Sequence, residues 1–261
     1  MTIPVVTMTH LGGTDGLPVL LVGPSLGISV TTLWGDVVPA LDGTYHVVGW
    51  DLPGHGASRP TTSAFSMEDL ARGVLGAVNI AVGAAPLYYA GVSVAGAVGL
   101  QLLLDHPGRV RAAALVCTGA QIGEPAGWLE RAQQVRAQGT AAVAKQSEER
   151  WFAPGFTDGN RQAARRCVDD LSGTDPESYA QVCGALAEFD VRARLPQIVT
   201  PVVAVAGGHD VATPPASLRL IAANVQHGSY LEIPSCGHLP PVEDPRAMAQ
   251  TLTDMWNGES R

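Results

Sequence analysis

The sequence has little charge, few aromatic residues and almost no lysine. Of its 261 residues only 15% are charged and 5% aromatic. Its basic residues are arginines apart from Lys145, and the formal net charge is -8. There is no lysine-rich tail to anchor it to an acidic membrane surface. An acidic chain also lacks the basic field that phosphate contacts require, so no nucleic-acid partner is expected. The opening stretch, MTIPVVTMTHLGG, has neither a basic n-region nor an apolar h-region and does not read as a secretory signal. Four cysteines (Cys117, Cys167, Cys183, Cys236) show no CxxC spacing. Without a secretion signal they are expected as free thiols, with the cytoplasm as compartment. No histidine pair has metal-ligand spacing and no GxGxxG follows a strand pattern, so neither a metal nor a dinucleotide site is expected. Internal repeats and low-complexity segments are absent.

What the chain has is apolar residues, at 46%. That fraction excludes a disordered chain, and the length is enough for a sizeable core without disulfide or metal staples. The stretch from Gly73 to Leu104 carries no charge and is long enough to span a bilayer. Asn79, Gly83, Pro86, Gly91, Ser93, Gly96 and Gly99 punctuate it, so it reads as helix, strand and helix in a soluble core, and no membrane span is expected.

Short apolar runs recur along the chain: Pro18–Gly23, His46–Asp51, Leu87–Val92, Ala112–Thr118, Pro201–Ala206 and Ser229–Ile233. Most are apolar on both faces, as buried parallel strands should be. Helical patterns lie between most of them, which predicts an α/β fold with a parallel sheet flanked by helices. Pro4–His10 is expected to add an antiparallel edge strand. The alternation fails between Gln121 and Gln197, where charges cluster and apolar spacing is helical. Residues 121–197 are therefore predicted to form a helical cap inserted into a core made of 1–120 and 198–261. Such an insertion would border the crevice at the strand C-termini. Glu243–Trp256 is predicted as a closing helix, with NGESR as a frayed tail.

Chemistry concentrates in three loops. Gly91-Val92-Ser93-Val94-Ala95-Gly96 follows the strand pattern LYYA and precedes a helical pattern. Small residues at 91 and 95 let the turn fold tightly, with Ser93 at its apex, as in a G-x-S-x-G nucleophile elbow. Asp210 follows the strand PVVAVA, and His238 follows SYLEI. A serine hydroxyl is a poor nucleophile unless a base takes its proton, and the base needs an acid to fix its tautomer. Ser93, Asp210 and His238 can supply those three roles. The oxyanion that such chemistry creates needs N–H donors. Val94, directly after the nucleophile, is one candidate. The other is expected in the loop Gly23-Pro24-Ser25-Leu26-Gly27; Pro24 has no N–H, and Leu26 is chosen. His209 is read as structural, and His55 as a backbone partner within its turn.

The segments GPSLGISVTTLW, GWDLPGHGASRP, GVSVAG, ERWFAPGF, GGHDVATPP and PSCGHLPPVEDP together resemble the α/β-hydrolase superfamily. More narrowly they are similar to the 3-oxoadipate enol-lactonases of aromatic-acid catabolism. The narrower likeness rests on the S-L-G turn, on Gln121-Ile122-Gly123 with Trp128 and Arg131, on Arg150-Trp151-Phe152 and on HDVATPP. The resemblance implies an α/β-hydrolase fold with a mostly parallel eight-stranded sheet and a helical cap. It also implies a small anionic lactone as substrate, an acyl-enzyme on Ser93, and no cofactor or metal. An anion approaching a chain of charge -8 needs a local cation, and the cap residues Arg131 and Arg150 are the candidates. Trp34 and Trp128 are candidate pocket walls. Gln121, where a basic residue would be expected, completes the substrate-binding set. Some relatives carry a C-terminal decarboxylase domain, and that activity is not expected of this chain. Other carboxylic-ester, C–C bond or perhydrolase chemistry would use the same triad. Dehalogenase and epoxide-hydrolase chemistry would need Asp at the elbow. A non-catalytic small-molecule receptor would need no triad at all.

Overall fold

The computed structural model describes residues 2–259, with side chains through Met255. Seven strands form one sheet: β1 Met8–Gly12, β2 Val19–Gly23, β3 His46–Trp50, β4 Leu87–Val92, β5 Val110–Val116, β6 Val202–Gly207 and β7 Gly228–Ile233. Their order is β1-β3-β2-β4-β5-β6-β7. β1 runs antiparallel to β3, and every other pairing is parallel. All six residues of β4 are buried, which explains why its sequence is apolar on both faces.

Eleven α-helical segments accompany the sheet: α1 Val30–Trp34, α2 Met67–Val82, α3 Val94–Asp105, α4 Pro125–Gln138, α5 Ala144–Trp151, α6 Phe156–Gly159, α7 Arg161–Gly173, α8 Pro176–Glu188, α9 Pro215–Asn224, α10 Pro240–Glu243 and α11 Pro245–Glu259. The uncharged stretch resolves into α2, β4 and α3. Among the described residues, no helix is long and apolar enough to cross a membrane. All four cysteines are free and buried.

Four expectations need correction. The sheet has seven strands among the described residues, not eight. Residues 3–7 make no strand; Pro4 has no N–H to give a ladder, and the antiparallel edge begins only at Met8. The closing helix, α11, begins at Pro245 and not at Glu243, which instead ends the short α10. Residues 257–259 of the expected frayed tail continue α11, and the last two residues lie outside the described residues.

Between β5 and β6 the chain is helical, with α4 to α8 and a 3-10 turn at Arg192–Gln197. These helices are tied to the rest of the molecule through polar contacts. Asp170 accepts from the N–H and hydroxyl of Ser29 at 2.9 and 2.7 Å. Ser178 accepts from the Thr61 N–H at 2.8 Å. The strand order turns around between β2 and β4: β2 leads leftward to β3, β4 rightward to β5. Loops leaving the C-terminal ends of β2 and β4 therefore diverge and leave a crevice, which is where open α/β sheets bind ligands.

Candidate active site

Ser93 is the single residue between β4 and α3. Its φ is 56°, a conformation that costs a non-glycine residue free energy and persists only where neighbours enforce it. Here they do. The Ser93 N–H donates to Val116 O at 2.9 Å, and the Ser93 carbonyl accepts from the Thr118 hydroxyl at 2.7 Å. The turn is so tight that a side chain at Gly91 would stand 2.5 Å from the Ala95 carbonyl oxygen. Ala95 itself fits because it faces Gly23, where an added Cβ would lie 2.6 Å from the Ala95 methyl. The second small position of the elbow thus tolerates alanine because the opposing strand supplies a glycine.

Asp210 and His238 meet from the loops after β6 and β7. Asp210 Oδ2 lies 2.8 Å from His238 Nδ1. The same carboxylate accepts from the Thr213 hydroxyl at 2.6 Å and from the N–H groups of Ala212 and Thr213 at 2.7 and 3.0 Å. Burial alone would push the Asp210 carboxyl up. The charge and hydrogen bond of His238, with those of Thr213, outweigh it and hold the group below the ordinary carboxylate value. An ionised Asp210 favours the tautomer with the proton on Nδ1, which leaves Nε2 as an acceptor.

Ser93 and His238 line one cavity of about 420 Å³, within the size range of small-molecule sites. Ser93 Oγ makes no hydrogen bond among the described residues; in unliganded sites this bond is often long. Leu26 lines the same cavity, and its N–H has no acceptor among the described residues. Val94 opens α3, so its N–H has no partner one turn back. α4, α5 and α8 roof the cavity with Trp128, Arg131, Arg150, Trp151 and Tyr179. A larger crevice of about 890 Å³ between β6, β7 and α11 contains none of the candidate residues.

Of the proposed substrate-binding set, Trp128, Arg131 and Arg150 line the cavity, and Trp34 and Gln121 do not. Trp34 is fully buried. Its indole N–H donates to the Gly23 carbonyl at 2.9 Å, so it supports the loop after β2 from beneath. Gln121 precedes the wall, which starts at Ile122. Arg131 is held by neutral groups: Nε donates to the Tyr179 hydroxyl at 2.7 Å, and a terminal nitrogen to Ser147 Oγ at 2.6 Å. Neither Arg131 nor Arg150 has a carboxylate partner among the described residues, whereas Arg136, Arg166 and Arg194 each have one. Glu124 and Glu130 share the cavity wall.

Sequence reasoning missed Thr213, Tyr179, Ser147, Cys117 and Glu243. Thr213 carried a local signal, a hydroxyl three residues after the acid. Glu243 carried one too, a carboxylate shortly after the base that accepts from Gly237 and Leu239; Tyr179, Ser147 and Cys117 arrive from distant segments. Cys117 Sγ accepts from the Gly207 N–H at 3.3 Å, and burial and Asp210 push its thiol well up. Cys117, Asp210 and His238 bring three potential metal-ligand atoms within 4.8 Å of one another. Two of those atoms already face each other in the Asp210–His238 hydrogen bond, and the thiol is held protonated, so the donor set suits a hydrogen-bonded acid–base pair better than a cation.

Comparison with known proteins identifies the family of the fold. Residues 18–245 match the family described as alpha/beta hydrolase fold. 3-oxoadipate enol-lactonase 2 of Acinetobacter baylyi is 32% identical, covering 88% of this chain and 85% of that protein. 3-oxoadipate enol-lactonase 1 of the same organism is 28% identical, covering 94% and 90%. The crystal structure of the enol-lactonase from Burkholderia xenovorans LB400 superposes with a TM-score of 0.91 at 28% identity, covering 97% of this chain and 96% of that one. The chain belongs to the alpha/beta hydrolase fold family, and it is a hydrolase.

Proposed function

We propose that the protein opens the ring of 3-oxoadipate enol lactone to give 3-oxoadipate, through an acyl-enzyme on Ser93. The observation that carries this reading is Arg131: a guanidinium on the cavity roof, held by a phenol and a hydroxyl and without a carboxylate partner among the described residues. Such a cation suits a substrate carboxylate, since arginine pairs with carboxylates through two parallel hydrogen bonds. Arg150 stands beside it as a second cation. With Glu124 and Glu130 in the same wall, recognition rests on where the guanidinium groups sit and not on the net charge of the cavity. The likeness to enol-lactonases over most of the chain supports the same substrate.

In this reading Ser93 Oγ attacks the lactone carbonyl while His238 Nε2 takes its proton and Asp210 steadies the imidazolium. The oxyanion lies against the N–H groups of Leu26 and Val94. Collapse expels the ring oxygen as an enolate, a better leaving group than an alkoxide. The His238 imidazolium gives the proton it took from Ser93 to the enolate, which as its carbon-protonated tautomer is the ketone, and the neutral imidazole is free to act as base again. Water then attacks the acyl group, giving its proton to His238, and Ser93 leaves with that proton restored.

Arg131→Met tests the carboxylate contact. A lost charge-assisted hydrogen bond costs about 1.5–3 kcal/mol, so KM for the lactone should rise about ten- to a hundredfold. KM for a neutral p-nitrophenyl ester should barely change. Equal effects on both substrates would reject the clamp and leave a general esterase.

A further inference from the structure

We infer that Glu243 is a positioning residue that ties the catalytic base to the cap. The inference rests on the reading of His238 as that base. Three consecutive N–H groups, those of residues 237, 238 and 239, are all held. Gly237 and Leu239 donate to Glu243 Oε1 at 2.8 and 3.2 Å. His238 donates to the Trp151 carbonyl, at the end of α5, at 2.7 Å. The other carboxylate oxygen of Glu243 accepts from the Ala153 N–H at 2.8 Å. One side chain thus grips both the loop that carries His238 and the cap segment just after α5.

The end of α5, directly before that segment, is part of the cavity. Arg150 and Trp151 line it, and Trp151 gives its backbone oxygen to His238. The two surfaces are pressed together: a Cβ on Gly237 would lie 2.7 Å from Trp151 O and 2.8 Å from Ala153 N. A movement of the cap at Trp151 would therefore move the imidazole, and a held imidazole fixes the cap wall. Glu243 has no arginine or lysine partner among the described residues. Burial pushes its carboxyl above the ordinary value, and the backbone N–H groups of Ala153, Gly237 and Leu239, with the cationic form of His238, pull against that. The titratable groups around His238 are Asp210 from the loop after β6, Cys117 from the end of β5 and Glu243 from α10, with Arg131 and Arg150 across the cavity. Glu243 thus orients a group that touches substrate without touching substrate itself, as outer partners do in well-ordered sites.

Two substitutions divide the latch. In Glu243→Gln the amide oxygen can still accept from Gly237 and Leu239, but the amide N–H groups confront the Ala153 N–H, and the charge is gone. Ala153→Pro deletes the cap-side donor and keeps the charge; Phe152 is already extended, with ψ 145°, as a residue before proline must be. Both variants are assayed on the enol lactone and on p-nitrophenyl acetate across pH 5–9, with His238→Ala as control and thermal melts alongside. For Glu243→Gln, kcat should fall about tenfold, and the acid limb of kcat/KM should move to lower pH by about half a unit. For Ala153→Pro, KM should rise severalfold with the acid limb unmoved. A Glu243→Gln enzyme that loses only melting temperature, with wild-type kcat and pH profile, would reduce Glu243 to a structural residue and overturn the inference. If that variant does not fold, wild-type KM and kcat in Ala153→Pro would overturn it equally. Activity retained in His238→Ala would instead overturn the assignment of the base, and the latch with it.

Discussion

Ser93 keeps its positive φ because both of its backbone groups are bonded and because glycines at 91 and 23 leave room for the turn. The same tightness leaves its hydroxyl at the apex. His55 shows the opposite use of burial. Its ring lies fully inside, with Nδ1 donating to the Pro53 carbonyl at 2.9 Å, and Nε2 has no partner. Burial pushes its pKa from 6.5 down to about 4, against the pull of the Pro53 hydrogen bond. The unfolded chain therefore binds a proton below about pH 6.5 that the folded chain refuses until about pH 4. Stability must fall as the pH drops through that window and level off below it, by up to about 3 kcal/mol. In urea unfolding from pH 7.5 to 4, His55→Gln should lose stability less steeply than wild type; parallel curves would count against the buried neutral ring. In the sequence, Ser93, Asp210 and His238 were legible because each stands in a short loop directly after an apolar strand. Tyr179, Cys117 and the bond of Glu243 to Ala153 were not, because those partners lie 48, 120 and 90 residues away and no local pattern encodes such distances.

At the scale of elements, α2 illustrates how a helix is set by its first turn. The Ser66 side chain accepts from the Asp69 N–H, and Asp69 reaches back to the Ser66 N–H, so two orphan donors are satisfied reciprocally. Ser66→Ala should cost about 1 kcal/mol in urea unfolding with kcat unchanged, since α2 contributes nothing to the cavity wall. An unchanged midpoint would mean that tertiary packing alone fixes this helix. The strands were legible from apolar runs, and β4 is matched residue for residue. The N-terminal edge was less so: whether a segment such as residues 3–7 pairs depends on a neighbour's free edge as much as on its own composition. Helical phase also misled. Trp34 reads as a wall candidate because ligand pockets are mostly apolar and aromatic. In α1, capped by Ser29, it turns inward with Leu33 and Val30. Arg131 and Arg150 could not be ranked from sequence for the same reason; contacts with Tyr179 and Ser147 distinguish Arg131 only once α4, α5 and α8 are packed.

At the scale of the whole molecule, a chain of net charge -8 offers an anionic substrate a repulsive field. Attraction must come from local cations over the crevice where the β2 and β4 loops diverge. The cap helices carry those cations, while the sheet edge carries Ser93, the Asp210–His238 pair and the free N–H of Leu26. In the proposed reaction the two halves meet: a serine on the sheet opens a carboxylate-bearing lactone held by the helices between β5 and β6. It is tested most directly by following loss of the enol-lactone ultraviolet absorbance with wild-type protein and with Ser93→Ala. Rapid lactone turnover by the wild type, reduced by at least about a thousandfold in Ser93→Ala, is the result expected. Turnover of p-nitrophenyl esters with none of the lactone, or lactone turnover that survives Ser93→Ala, would contradict it.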